Sequence, residues 1–234
     1  MKIVKEFSRF AHEYHRHNII QSEVAKKLVS MLEKKSYLKV LDLGCGSGAV
    51  YQNMLKQHIV VDEFIAFDFS EEMLSLHPID KTVKTVCSDF NDRSSFEKYR
   101  DNEFSILISA SALQWSTNLT SVLDSISRLA PEHYFAFFTA KTFATLHKVA
   151  GISSPIYSKK SIINSLSSYT IDTIEELEYR LSFDSVLEMF RYIKRSGVSG
   201  GAGVLNYKEM KSIMRNYPLN YLEFEVVFIK ARAK

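Results

Sequence analysis

Three aspartates and a group of glycines are the residues of this sequence best suited to bind a small molecule. The stretch 39–50 reads KVLDLGCGSGAV and contains Asp42 followed by three glycines at alternate positions. Glycine has no Cβ atom, so the backbone there can turn sharply and approach a ligand closely. Asp68 and Asp89 each follow a later apolar run. Carboxylates accept hydrogen bonds from hydroxyl and amino groups, so this set is suited to a nucleoside.

Two kinds of nucleotide ligand fit the glycine loop. Gly44, Gly46 and Ala49 satisfy the G-x-G-x-x-G/A pattern of dinucleotide-binding proteins. Asp42 makes the same stretch D-x-G-x-G-x-G, and an anionic side chain favours an ammonium or sulfonium group over a pyrophosphate. Asp68 follows the loop by about 20 residues, where a carboxylate can hold both hydroxyls of a ribose. The sequence therefore favours a cationic nucleoside, with a dinucleotide-binding oxidoreductase as the alternative.

Alternating strands and helices are expected to position these residues. Helices are predicted near 47–57, 70–76, 92–100 and 117–129. Short apolar strands are predicted at 39–44, 63–68, 83–89, 104–110 and 134–140. Buried strands that alternate with helices are typical of an α/β fold with a doubly wound, mostly parallel sheet. In such sheets ligands bind beyond the carboxyl ends of the strands, where the three aspartates are predicted to lie.

The alternation ends after residue 140. Two more strands are predicted at 174–183 and 221–233, which makes seven, and further helices near 183–196 and 206–215. The last strand has a period of two, with glutamates at 223 and 225, so we expect it to be half-exposed and antiparallel. We predict one domain with a helical cap over the carboxyl edge of the sheet. Its parts are an N-terminal lid helix (1–36), a cofactor-binding core (37–140), the cap and late sheet elements (141–220) and the final strand (221–234).

Composition narrows the functional classes. The net charge of the 234 residues is +3, which is too small to indicate a nucleic-acid partner. The apolar runs are too short to span a bilayer, and the first ten residues carry no export signal. The two cysteines give no disulfide framework, which favours the cytoplasm. His12, His15 and His17 have metal-like spacing, but no cysteine or carboxylate pair completes a site, so we expect no metal.

The order of the glycine loop, Asp68 and Asp89 on successive strands resembles the class I S-adenosylmethionine-dependent methyltransferases over about residues 39–140. The resemblance implies a Rossmann-like fold and S-adenosylmethionine as the methyl donor. It implies that Asp68 holds the ribose and Asp89 the adenine amino group, and that Cys45 contributes its backbone N–H. The residues expected to bind the donor are Gln21, Asp42, Gly44, Cys45, Gly46, Asp68, Phe69, Met73, Asp89, Phe90, Ser109 and Ala110.

Further stretches point to the acceptor. The segment 108–118, ISASALQWSTN, lacks the Asn/Asp-Pro-Pro-Tyr loop of amino-group methyltransferases. Its ALQW resembles the small-carboxylate O-methyltransferases that act on trans-aconitate or on malonyl-acyl-carrier protein. The stretches 7–21 and 182–200 resemble the second kind, which serves biotin synthesis, whereas APEHY at 130–134 departs from the Pro-Gly-Gly turn common there. A methyltransferase for a free small acid remains the alternative.

The chemistry implied by this resemblance needs no general base, because a malonyl carboxylate is already ionised near pH 7. Catalysis would rest on alignment of the reactants and on electrostatics. A basic face of the helix near 183–196 would attract an acidic acyl carrier protein, or would be an ordinary solvated surface. The candidate catalytic residues are Tyr14 and Gln114, and the candidate substrate-binding residues are Trp115, Arg191, Lys194 and Arg195.

Overall fold

The computed structural model describes residues 18–195 and 207–234, without the side chains of 194–195 and 207–211. A seven-stranded sheet has the order β3-β2-β1-β4-β5-β7-β6. The strands are β1 Ser36–Leu43, β2 Val60–Asp68, β3 Val83–Cys87, β4 Ile106–Ala110, β5 His133–Phe138, β6 Tyr169–Ser182 and β7 Tyr221–Ala233. The helices are α1 Ile19–Ser30, α2 Ala49–Lys56, α3 Glu71–Ser75, α4 Leu119–Ile126, α5 Ala144–Ala150, α6 Lys159–Ser165, α7 Val186–Arg195 and α8 Tyr207–Asn216, with 3-10 turns at Arg93–Phe96, Leu113–Trp115 and Ser127–Leu129.

The strand order reverses between β1 and β4. Strand β1 pairs in parallel with β2 on one side and with β4 on the other, and β5 continues the parallel set. Strand β7 runs antiparallel to both β5 and β6. This is the predicted doubly wound sheet with an antiparallel last strand, and its switch point lies at the end of β1, where the glycine loop begins.

Alternate residues of the central strands enter two apolar layers. Val40 packs into the layer that includes α1 and α2, while its neighbour Leu41 packs into the layer that includes α4 and α6. Both side chains are fully buried. Because the strands are buried on both faces, the carboxyl edge of the sheet is the natural place for a polar site.

The late elements form the predicted cap. The ring of Phe143, just before α5, packs edge-on against Phe224 of β7 at a centroid distance of 4.9 Å. Phe190 of α7 makes a similar contact with Tyr217 after α8. Since β7 is antiparallel, its first residues lie at the carboxyl edge of the other strands, and the cap helices gather there. No helix among residues 18–195 and 207–234 is long and apolar enough to cross a membrane.

Two predictions about individual elements were wrong. The final strand is not half-exposed: β7 lies between β5 and β6, and Glu225 is only 3% exposed. Its carboxylate is satisfied by Thr139 Oγ1 at 2.6 Å and Lys141 Nζ at 2.7 Å, which allows an acidic residue in an interior strand. The helix predicted at 92–100 is one short 3-10 turn, because Asp92 caps Ser94 and the chain then ends the turn at Phe96.

Candidate active site

The glycine loop after β1 is built so that three residues adopt left-handed backbone conformations. Gly44, Gly46 and Gly48 have φ angles of +76°, +53° and +86°. A Cβ atom on Gly44 would lie 2.2 Å from the Cβ of Ala112, and one on Gly48 would lie 2.6 Å from the Cδ of Pro78. Both positions therefore require glycine for space as well as for conformation.

Asp68, the last residue of β2, holds the loop in place. Its Oδ2 accepts a hydrogen bond from Gly46 N at 2.9 Å, and its Oδ1 accepts one from Ser70 N at 3.0 Å. The residue is 7% exposed, and burial raises the pKa of its carboxyl, although the bonds from Ser70 and Gly46 act in the opposite direction. The carboxylate is thus fixed by backbone N–H groups at the tip of the second strand, as the spacing predicted.

Asp42 lies behind the loop rather than in it. Asp42 is fully buried, and neither of its carboxyl oxygens has a hydrogen-bond partner. Burial raises the pKa of Asp42 well above its ordinary value, and the nearby Asp68 raises it further. An unpartnered carboxyl next to a glycine loop is unusual, because buried polar groups are normally hydrogen-bonded.

A cavity opens beyond the carboxyl ends of β1, β2 and β4. Asp68 is the one charged side chain in its described wall, and no lysine, arginine or histidine contributes to that wall. Large apolar side chains flank the space on the β2 and β3 side. The wall comprises Asn18, Gln21, Ala25, Gly44, Cys45, Gly46, Ser47, Ala49, Val50, Asp68, Phe69, Met73, Phe90, Ala110, Ser111, Ala112 and Trp115.

Most of the residues predicted to bind the donor meet at this cavity. Those that line it are Gln21, Gly44, Cys45, Gly46, Asp68, Phe69, Met73, Phe90 and Ala110, together with the predicted acceptor residue Trp115. Met73 is brought there by the start of α3, where Ser70 Oγ accepts the Met73 N–H at 3.2 Å. One detail is wrong: the Cys45 N–H is not available to a ligand, because it donates to Phe67 O at 3.0 Å within the sheet.

Asp89 and Ser109 do not line the cavity. Asp89 Oδ1 accepts hydrogen bonds from both the backbone N and the side-chain Nδ2 of Asn91, each at 2.8 Å. This turn holds the carboxylate beside its own loop, and the neighbouring Phe90 lines the cavity instead. Ser109 Oγ donates to Leu43 O at 2.6 Å and so ties the end of β4 to the end of β1.

The residues predicted to act on or bind the acceptor, other than Trp115, do not line the cavity in the part of the chain that the structure describes. Gln114 is buried outside the cavity wall, and its Nε2 donates to Ser111 O at 2.7 Å. Arg191 is exposed on α7 and does not line the cavity. Tyr14, and the side chains of Lys194 and Arg195, lie outside the described residues, as do His12, His15 and His17.

The cavity also contains residues that the sequence reasoning missed. Asn18 directly precedes α1 and Ala25 lies within it, and Ser47, Ala49 and Val50 come from the loop and the first turn of α2. The latter three could have been found, because they directly follow the glycines. Ser111 and Ala112 follow β4, and no pattern in the sequence marks Ser111 as special.

Comparison with known proteins bears on the predicted class. Residues 41–137 match the family model described as "Methyltransferase domain". Together with the doubly wound fold and the glycine loop, this match confirms the predicted resemblance to methyltransferases. The chain is 27% identical over 221 residues to malonyl-[acyl-carrier protein] O-methyltransferase of Bacillus cereus, covering 83% of this chain and 79% of that protein.

Two further comparisons extend over nearly the whole chain. The protein of the same name from Neorickettsia risticii is 24% identical over 241 residues, covering 97% of this chain and 94% of that protein. The structure of geranyl diphosphate methyltransferase in complex with SAM superposes with a TM-score of 0.58 at 14% identity, covering 97% of this chain and 90% of that one. At 14% identity, the likeness to geranyl diphosphate methyltransferase is a likeness of fold alone.

Proposed function

We propose that the chain transfers the methyl group of S-adenosylmethionine to the free carboxylate of a malonyl thioester on acyl carrier protein, as a step of biotin synthesis. The charge of the cavity wall is the observation that supports S-adenosylmethionine as the donor. Asp68 is its one described charged side chain, and Asp42 lies buried behind the same loop. A described wall with one carboxylate and no cation suits a cationic sulfonium compound better than the pyrophosphate of a dinucleotide.

The described residues fit the parts of such a donor. Asp68 at the tip of β2 is placed to accept hydrogen bonds from ribose hydroxyls. The apolar side chains of Phe69, Met73 and Phe90 offer surfaces for a purine ring. Gly44 and Gly46 let the backbone approach the rest of the molecule without Cβ atoms in the way. The two carboxyl oxygens of Asp42 have no partner, and a cation nearby would favour the ionised form of this side chain.

The reaction makes modest demands on the protein. When bound, S-adenosylmethionine supplies an electrophilic methyl group on a positively charged sulfur. The attacking oxygen belongs to a carboxylate that is ionised near pH 7, so no residue has to remove a proton. The tasks left to the chain are to align the acceptor and to keep water out, for which the side chains of Trp115, Val50 and Ala112 are suited.

The acceptor is inferred from the relatives. Both curated relatives described above carry the name malonyl-[acyl-carrier protein] O-methyltransferase, and one of them aligns over 97% of this chain. The acceptor would thus be presented by an acyl carrier protein in the cytoplasm. Arg191 on the exposed face of α7 is a candidate contact for that acidic partner.

Labelled methyl transfer tests this proposal. The protein is incubated with S-adenosylmethionine labelled in the methyl group and with malonyl-carrier protein, acetyl-carrier protein or trans-aconitate. We expect label only on the malonyl-carrier protein, in a form that mild alkali releases as methanol, since a methyl ester is base-labile. The acetyl form lacks a free carboxylate and is the matched control. Label on trans-aconitate alone would overturn the carrier-protein assignment, and label on no carboxylate would overturn the reaction.

A further inference from the structure

Ser111, which directly follows β4, has an unusual backbone. Its φ angle is +61°, a left-handed conformation that is uncommon for any residue other than glycine. Both of its backbone polar groups are occupied: its N–H donates to Ala136 O at 2.9 Å, and its carbonyl accepts from Gln114 Nε2 at 2.7 Å. The backbone is therefore locked in a strained conformation, which fixes where the side chain projects. Strain of this kind is frequent at functional sites.

The hydroxyl of Ser111 is buried and has no hydrogen-bond partner. The residue belongs to the cavity wall, between Ala110 and Ala112. Among buried side-chain atoms without a partner in the described chain, only Ser111 Oγ and Gln21 Oε1 belong to residues of this wall. A native protein seldom leaves a buried hydroxyl unsatisfied, and at a residue of the cavity wall a bound ligand can be the missing partner.

The position of Ser111 in the sheet indicates which ligand. Asp68 lies on the β2 side of the switch point, where the ribose is proposed to bind, whereas Ser111 lies on the β4 side with Trp115. With the ribose proposed at Asp68, we place the acceptor on the β4 side, next to the predicted acceptor residue Trp115. An ionised carboxylate only accepts hydrogen bonds, and the described wall offers it no cation. A serine hydroxyl can donate to it, but the unpartnered oxygen of Gln21 cannot.

We propose that Ser111 binds the methyl acceptor, with its hydroxyl donating a hydrogen bond to the acceptor carboxylate, and that Gln114 is a positioning residue that acts through the Ser111 carbonyl. This assignment rests on the proposed carboxyl methylation. It gives a role to Gln114, which was predicted to be catalytic but is buried outside the cavity wall and contacts the cavity residue Ser111. It also gives an anionic acceptor a contact in a wall whose one described charge is negative.

Three substitutions at one position test the assignment. Ser111→Ala removes the hydroxyl and keeps the strained backbone, and Ser111→Gly removes the hydroxyl and relieves the strain. Ser111→Asn supplies an amide donor on a residue that tolerates the left-handed conformation. We expect Ala and Gly to raise the KM for malonyl-carrier protein about tenfold or more, as for a lost hydrogen bond to a charged group, and Asn to recover part of the loss. Affinity for S-adenosylhomocysteine, measured by calorimetry, should stay within about twofold of the wild type.

Ser116→Ala is the matched control, because its buried hydroxyl also has no partner but lies outside the cavity wall. It should leave the acceptor KM within about twofold of the wild-type value. An unchanged KM in the folded Ser111→Gly protein would overturn the assignment, as would a loss of donor affinity as large as the loss for the acceptor. Failure of the wild type to methylate malonyl-carrier protein would instead refute the proposed function. The same variants would then be measured with whichever carboxylate is methylated.

Discussion

Gly44→Ala is the substitution whose cost can be worked out most fully. Alanine would have to adopt a φ angle of +76°, which costs about 1–2 kcal/mol for a residue with a Cβ atom. That Cβ would also lie 2.2 Å from the Cβ of Ala112, far inside van der Waals contact. Overpacking of this kind typically costs about 1–3 kcal/mol. The free energy of unfolding should therefore fall by about 2–5 kcal/mol, a large part of an ordinary domain's stability.

Two further variants separate strain from steric overlap. Gly151 has a φ angle of +64°, and a Cβ there would meet no atom within 4 Å, so Gly151→Ala should cost only about 1–2 kcal/mol. Ala112→Gly, combined with Gly44→Ala, removes the atom that the new Cβ would strike. The double variant should recover about 1–3 kcal/mol relative to the sum of the single changes.

Urea unfolding of the wild type, of Gly44→Ala, Gly151→Ala and Ala112→Gly, and of the double variant measures these free energies directly. Equal losses for Gly44→Ala and Gly151→Ala would contradict the close packing of the loop against Ala112. Independent, additive effects of Gly44→Ala and Ala112→Gly would contradict it as well. In either case the glycine would be needed for its conformation alone.

Two further predictions concern buried groups around the loop. Burial holds the pKa of Asp42 well above its ordinary value, so the folded chain keeps a proton that the unfolded chain releases. Stability should therefore fall as the pH rises between those two pKa values, by up to about 1.4 kcal/mol per pH unit. Asp42→Asn should flatten this dependence and raise the free energy of unfolding at pH 8; an unchanged slope would contradict it. Cys45 is 6% exposed with a pKa that burial raises well above normal, whereas Cys87 is exposed. A maleimide should thus label one thiol in the folded protein and two in urea, and rapid double labelling would refute the buried placement.

The fold was predictable because its signals are local. Short apolar runs marked the strands of the parallel set, and the glycine loop fixed the end of β1. The prediction for β7 was wrong because alternating glutamates were taken to be exposed. Glu225 is instead buried against Thr139 and Lys141, partners about 85 residues away in sequence, which no local pattern reveals.

The location of a site residue was predictable where that residue ends a strand. Asp68 lies where the spacing placed it, since parallel strands bring their carboxyl ends to one edge. Side-chain direction was not predictable in the same way. Asp89 bonds to Asn91 instead of lining the cavity, and Asp42 is buried behind the loop. Ser111 escaped notice because its N–H is held by Ala136 of β5, a partner distant in sequence that no local pattern reveals.

Calorimetric titration with S-adenosylmethionine, S-adenosylhomocysteine and NAD tests the central claim most directly, namely that the cavity beside Asp68 binds a nucleoside methyl donor. Both sulfur compounds should bind to the wild type and NAD should not. Asp68→Asn should weaken their binding about ten- to hundredfold, as for loss of a charge-assisted hydrogen bond. Asp92→Asn, on an exposed turn outside the cavity, should change it less than about twofold. Binding of NAD alone, or full affinity in Asp68→Asn, would contradict the account.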